Sequence, residues 1–150
     1  MHRFTWFGQP LAFICKLMIP ENISILLVDD DVDDQEIFLL TMQDTGADVE
    51  CEFACDGIQA LEKLGGESYQ PHLIFIDINM PKMNGMELLV ELKRNPRLVK
   101  IPIYMYSTSD QKEIVTKCME LGASGFMKKS PDIEEMRRDF SQLIDSRIAS

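Results

Sequence analysis

Three carboxylates, Asp29, Asp30 and Asp31, follow directly on the apolar run Ile23-Ser24-Ile25-Leu26-Leu27-Val28. A fourth, Asp77, ends the most apolar run of the chain, Leu73-Ile74-Phe75-Ile76, and opens into a turn-rich stretch that reaches Gly85. Hydroxyls close a third such run at Ser107-Thr108-Ser109, and ammonium groups a fourth at Lys128-Lys129. An ionised carboxylate is heavily disfavoured in an apolar environment unless something pairs it. Carboxylates brought together repel, and at least one of them has its pKa raised unless a cation joins them. A hard divalent ion answers this: Mg²⁺ takes one or two carboxylates, keeps several waters and leaves positions for phosphate oxygens. With a lysine and a hydroxyl alongside, the cluster would cradle a phosphoryl group in transfer, whose charge spreads over three oxygens. Asp77, with an oxygen free to attack, would be the nucleophile.

Such a cluster needs elements that bring four distant segments to one edge. From Ile23 onward, strand and helix signals alternate. Ile23–Val28 is nearly all apolar, as expected of a strand covered on both faces. Asp33, with Glu36 three residues on, predicts the cap of a helix ending near Gly46. Val49, Cys51 and Phe53 alternate with Glu50 and Glu52, a strand with one face closer to water. Asp56 can cap a short helix carrying Ile58, Leu61 and Leu64 and stopped by Gly65-Gly66. The third strand is His72–Asp77, and Asn84 with Glu87 frames a helix whose Met86, Leu89 and Val90 share a face. Ile101–Tyr106 is the fourth strand, and Asp110 with Glu113 repeats the capping pattern before Ile114, Cys118 and Leu121. Gly125–Lys128 forms a short fifth strand, and Ser130 and Pro131 suit the cap and first position of a last helix with Ile133, Met136, Phe140, Leu143 and Ile144 at helical spacing. Five strands alternating with five helices imply an α/β fold with a parallel sheet wrapped on both sides. Ligands of such open sheets sit outside the carboxyl ends of the strands, where all four groups fall.

Composition narrows the function classes. A chain of 150 residues fits one domain with a real core. No apolar run approaches the roughly 20 residues of a membrane-spanning helix. A formal charge of −10 argues against nucleic acid as a direct partner, since polyanions are held by clustered Lys and Arg. Cys15, Cys51, Cys55 and Cys118 show no CxxC pair and no zinc spacing, and read as reduced core thiols of a cytoplasmic protein. Residues 1–22 read as an N-terminal extension, poorly packed or a weak targeting segment, without assigned function: Gly8, Gln9 and Pro10 interrupt its apolar character, no small-residue cleavage site follows, and Met18 offers an alternative start. Residues 23–150 are the domain proper.

Four blocks, LLVDDD (26–31), IDINMPKMNG (76–85), IPIYMYSTS (101–109) and LGASGFMKK (121–129), together resemble the receiver domain of bacterial two-component response regulators, in the stand-alone form that carries no effector domain. The resemblance covers about residues 23–147. It implies a flavodoxin-like five-stranded parallel sheet, order 2-1-3-4-5, with five helices on both faces. It further implies that Asp77 is the phosphoacceptor, that Asp29 and Asp30 are the acid pair for Mg²⁺ (Asp30 a direct ligand, Asp29 largely through water) and that Asn79 offers the metal its backbone carbonyl. Ser107 and Lys129 would bond phosphoryl oxygens, Phe126 would turn inward as Ser107 moves, and Asn79 and Ser109 would tune the lifetime of the phosphorylated state. The partners implied are a sensor histidine kinase or histidine phosphotransfer protein and a downstream protein, with no nucleic acid and no membrane. A homodimer through the fourth helix and fifth strand is compatible with this. Such a protein is not an enzyme with turnover on a separate substrate; it assists its own phosphorylation and dephosphorylation.

Departures and rivals bear on this reading. The family usually has Pro directly after the lysine, often in a cis bond; here Ser130 follows Lys129, and a cis bond before a non-proline residue costs about 2.5–4 kcal/mol. The expectation is a trans bond with a readjusted loop or a cis bond under strain, with Lys128 competing for the role of Lys129. Asp29–Asp34 imitates the start of an EF-hand loop, but its sixth position is Asp34 instead of Gly and its twelfth is Leu40 instead of Glu. A haloacid-dehalogenase-type phosphatase also uses an acid pair after a first strand. Asp33 stands where that family needs Thr or Val, and the chain lacks room for a cap domain. The remaining rival is a receiver fold used as a docking module, with phosphorylation weak or absent.

Overall fold

Five parallel strands build one sheet in a computed structural model that describes residues 5–6, 9–10 and 22–149. In chain order they are β1 (Ile23–Val28), β2 (Val49–Ala54), β3 (Leu73–Asp77), β4 (Ile103–Ser107) and β5 (Gly125–Lys128), paired in the order β2-β1-β3-β4-β5. The helices are α1 (Val32–Asp44), α2 (Gly57–Gly65), α3 (Gly85–Arg94), α4 (Lys112–Glu120) and α5 (Ile133–Ala149). Fold class, strand order and, among the described residues, helix count are as the sequence implies. Outside the sheet, Thr5–Trp6 and Gln9–Pro10 pair antiparallel. The other expectations for residues 1–22, Cys15 included, lie outside the described residues.

Strand alternation divides the core into two layers. Ile25, Leu27, Phe75, Tyr104 and Tyr106 point to one face, where Phe38 and Met42 of α1 and Met136, Phe140 and Ile144 of α5 cover them. Leu26, Val28, Ile74, Ile76, Ile103 and Met105 point to the other, under Ala60 and Leu64 of α2, Leu88, Leu89 and Leu92 of α3 and Cys118 of α4. The α1/α5 layer centres on aromatic rings: Phe38 meets Phe75 and Phe140 edge-on at 5.0 and 5.1 Å between centroids. β3 is buried at all five positions because both faces are covered, which accounts for its unbroken apolar run.

Several helix starts differ from the capping signals in the sequence. Asp31, not Asp33, caps α1: its Oδ1 accepts from the backbone N–H groups of Asp33 and Asp34 at 2.9 and 3.4 Å, so the helix begins two residues early. Asp110 does not cap α4; Gln111 occupies that position without a side-chain hydrogen bond, and Asp110 faces Lys128 at 3.7 Å. α5 starts after Asp132, whose Oδ1 accepts from Glu134 and Glu135 N–H, while Ser130 Oγ accepts from Asp132 N–H and bonds Glu135 one turn on. Pro131 thus stands ahead of the helix. Asp56 and Asn84 do cap α2 and α3, accepting from the N–H groups of Gln59 and Glu87.

Ile58 and Ile133, expected on apolar stripes, are each 45% exposed; Gly57, Ala60 and Leu64 form the buried line of α2. α3 buries Gly85, Leu88, Leu89 and Leu92, leaving Met86 and Val90 half-buried. Of the thiols, Cys118 is buried, Cys51 half-buried and Cys55 exposed beyond the end of β2, so Cys55 is not a core residue.

Candidate functional site

Alternation in the sheet decides which end-of-strand groups meet. Val28 pairs with Ile76 across β1 and β3, so Asp29 and Asp77 stand side by side one residue further on, both following the direction of Leu27 and Phe75. On β5, Met127 points to that same α1/α5 side, and Lys129, two residues on, follows it. Lys128 points the other way, is exposed, and pairs with Asp110. Period-two geometry therefore brings Lys129 and not Lys128 to the carboxylates.

The Lys129 ammonium lies 2.8 Å from Asp29 Oδ2, 2.9 Å from Asp34 Oδ2 and 3.6 Å from Asp77 Oδ2. It also sits 5.1 Å from the centre of the Tyr106 ring, which closes the site from the core side. Asp29 is fully buried and accepts a second hydrogen bond from the Asp31 N–H. Asp77 is 7% exposed and accepts from the Asn79 N–H at 3.4 Å. Asp30 and Asn79 are exposed at the mouth.

Burial pushes the Asp77 carboxyl up to about 6; Lys129 opposes this and Asp29 reinforces it. Burial raises Asp29 as well, against the hydrogen bond from Lys129. Burial alone would lower Lys129, but its hydrogen bonds to Asp29 and Asp34 outweigh that and leave it raised, firmly cationic. For both carboxylates burial is the larger effect, and the Lys129 ammonium offsets only part of it.

Asp29, Asp30 and Asp77 each offer one carboxylate oxygen, and the three lie within 4.8 Å of one another. The donor set is all carboxylate oxygen, which suits a hard divalent cation and not a thiophilic metal. Ser107 ends β4 one residue beyond Tyr106, which pairs with Asp77, and is 1% exposed. Its Oγ accepts from the half-buried Ser109 N–H at 3.3 Å, and its carbonyl accepts the Lys129 N–H at 2.8 Å. The Lys129–Ser130 peptide is trans. Phe126 does not join the carboxylates; it is half-buried against the α2–α4 layer, opposite Met105.

Asp34, which in the sequence stands out only as a position of the EF-hand-like run, joins the site. It stands in the first turn of α1, and its contact with Lys129 spans 95 residues of sequence. Placing the cap at Asp31 was the signal needed, since it sets Asp34 on the turn that faces the strand ends.

A family model for the response regulator receiver domain matches residues 25–140. Response regulator Rcp1 of Synechocystis sp. is 33% identical over 117 residues, which cover 75% of this chain and 80% of that protein. The crystal structure of the phosphorylated cyanobacterial phytochrome response regulator RcpA superposes with a TM-score of 0.73 at 27% identity, over 81% of this chain and 91% of that one. The Mn²⁺-bound form of Rcp1 gives a TM-score of 0.71 at 31% identity, with the same shares covered.

Proposed function

The chain belongs to the response regulator receiver family of two-component systems, and from that premise we propose that it takes a phosphoryl group from a phosphohistidine onto Asp77, with Mg²⁺ as cofactor. The observation that carries this is the convergence of Asp29, Asp30 and Asp77 within reach of one cation, with the Lys129 ammonium beside Asp29 and Asp77. The Mn²⁺-bound Rcp1 and phosphorylated RcpA structures support it by similarity.

In the transfer, an Asp77 oxygen attacks phosphorus, a P–O bond forms, the P–N bond to the histidine breaks, and the imidazole nitrogen takes up a proton as it leaves. The nucleophile must be ionised. At pH 7 a carboxyl near 6 is already about nine-tenths ionised. Bound Mg²⁺ would supply the positive charge that completes ionisation and offsets the charge of the phosphoryl oxygens. Asp29 and Asp30 would hold it, with Asn79 offering its carbonyl. Lys129 neutralises one phosphoryl oxygen and the Ser107 hydroxyl bonds another. Drawing Ser107 inward leaves space for Phe126, which biases the face of α4, β5 and α5 towards a second shape, a population shift with the phosphoryl group as ligand. Asn79 and Ser109, beside the acceptor and the hydroxyl, set how soon water reverses the reaction.

The donor is a sensor histidine kinase or a histidine phosphotransfer protein, and the reader of the switched face is a downstream protein. The test is incubation with a small phosphodonor and Mg²⁺. One acid-labile phosphoryl group per chain is expected, and none in Asp77→Asn. Label that survives the substitution places the acceptor elsewhere, and a wild-type chain that takes no label is a docking module.

A further inference from the structure

The geometry points to Asp34 as a positioning residue that holds the Lys129 ammonium back from Asp77 in the resting protein, so that its carboxylate competes with the phosphoryl group for the lysine and sets how readily the phosphorylated state forms. This rests on the reading of Asp77 as acceptor. An ammonium has three donors. Those of Lys129 are drawn to Asp29 at 2.8 Å and Asp34 at 2.9 Å, while the acceptor oxygen lies beyond hydrogen-bond distance at 3.6 Å.

The two holders differ in kind. Asp29 belongs to the three carboxylates that can share a cation, so an ion in the site takes over its charge. Asp34 does not belong to that group, and its side chain is 32% exposed on the first turn of α1. With the cation in place, Asp34 is the carboxylate left to contest Lys129 against the incoming oxygens. The lysine side chain, 11% exposed and seated over Tyr106, has little room to serve both at full strength. No bond is made or broken in this step; an ion pair is exchanged.

Asp33 provides the control. It carries the same charge in the same helical turn, yet Lys129 makes no ion pair with it. The experiment is calorimetric titration of beryllofluoride, a phosphoryl mimic, at saturating Mg²⁺, on the whole chain and on Asp34→Asn, Asp33→Asn and Asp77→Asn, with a thermal melt of each. Asp34→Asn should bind the mimic about fivefold more tightly, the equivalent of about 1 kcal/mol for a partly exposed ion pair, while its melt without mimic falls. A gain in affinity alongside a loss of stability is a pair of signs that a purely structural role does not produce. Asp33→Asn should change affinity less than twofold, by the smaller effect expected of an exposed unpaired charge. Unchanged or weaker binding in Asp34→Asn, or an equal gain in Asp33→Asn, overturns the inference. Binding that persists in Asp77→Asn overturns the acceptor reading beneath it; binding lost there with no gain in Asp34→Asn overturns the role of Asp34 alone.

Discussion

Asp77 is kept in a state that a lone carboxylate resists, and pH exposes the cost. Its pKa lies near 6 in the folded protein against about 3.9 in an unfolded chain. The folded state therefore binds the proton more tightly, and stability falls as pH rises from about 4 to about 6. Above that window the ionised side chain costs on the order of 2–3 kcal/mol without a cation. Asp77→Asn removes the charge, so in metal-free buffer the variant should be more stable than wild type at pH 7 and lose that advantage near pH 4. Urea melts at the two pH values measure it; a variant no more stable at pH 7 would mean that Asp77 is not strained. The residue types of the site were legible in the sequence because Asp29, Asp77, Ser107 and Lys129 each end an apolar run. Asp34 was not legible, because one acid among Asp29, Asp30, Asp31, Asp33 and Asp34 looks like another until the helix start is fixed.

Helix starts were also where local signals misled. A carboxylate with an acid three residues on fits Asp33 and Asp110 as well as it fits true caps, but the cap is decided by where the strand lets go of the chain. β1 ends at Val28 and α1 begins at Val32, so Asp31 receives the free N–H groups. The start of α3 is fixed more tightly. Gly85 donates its N–H to the Ile78 carbonyl at 2.9 Å, and a Cβ on it would lie 2.3 Å from the Asp77 carbonyl oxygen and 2.8 Å from Ile78 Cα. Backbone, not a flexible side chain, stands in the way, so Gly85→Ala must move α3 or the chain beside Asp77. A loss of about 1–3 kcal/mol is expected, with slower labelling of Asp77 in protein that remains folded. Wild-type stability and labelling in that variant would show that the close approach is relaxed without consequence.

Alternation and covered faces made the topology readable: the runs of β1, β3 and β4, apolar at successive positions, mean burial on both sides, and with the alternating β2 and the short β5, all separated by helices, they leave few arrangements. What no local pattern carries is which strand lies beside which, and so that β1 and β3 are central neighbours with Asp29 and Asp77 abreast. That adjacency has a consequence for the whole molecule. An ion held by Asp29 and Asp30 after β1 and by Asp77 at the end of β3 would tie two central strands. Mg²⁺ should therefore raise global stability, by about 1.4 kcal/mol at ten times its dissociation constant, seen as a melting point a few degrees higher. Hydrogen exchange separates this from a local effect: amides of Leu26–Val28 and Ile74–Ile76, deep in both strands, should gain the same protection as the melt reports, and Asp77→Asn should lose most of it. Protection confined to the loop after β3, or a melt unmoved at Mg²⁺ concentrations independently known to saturate, would mean that the three carboxylates do not share an ion in the native state.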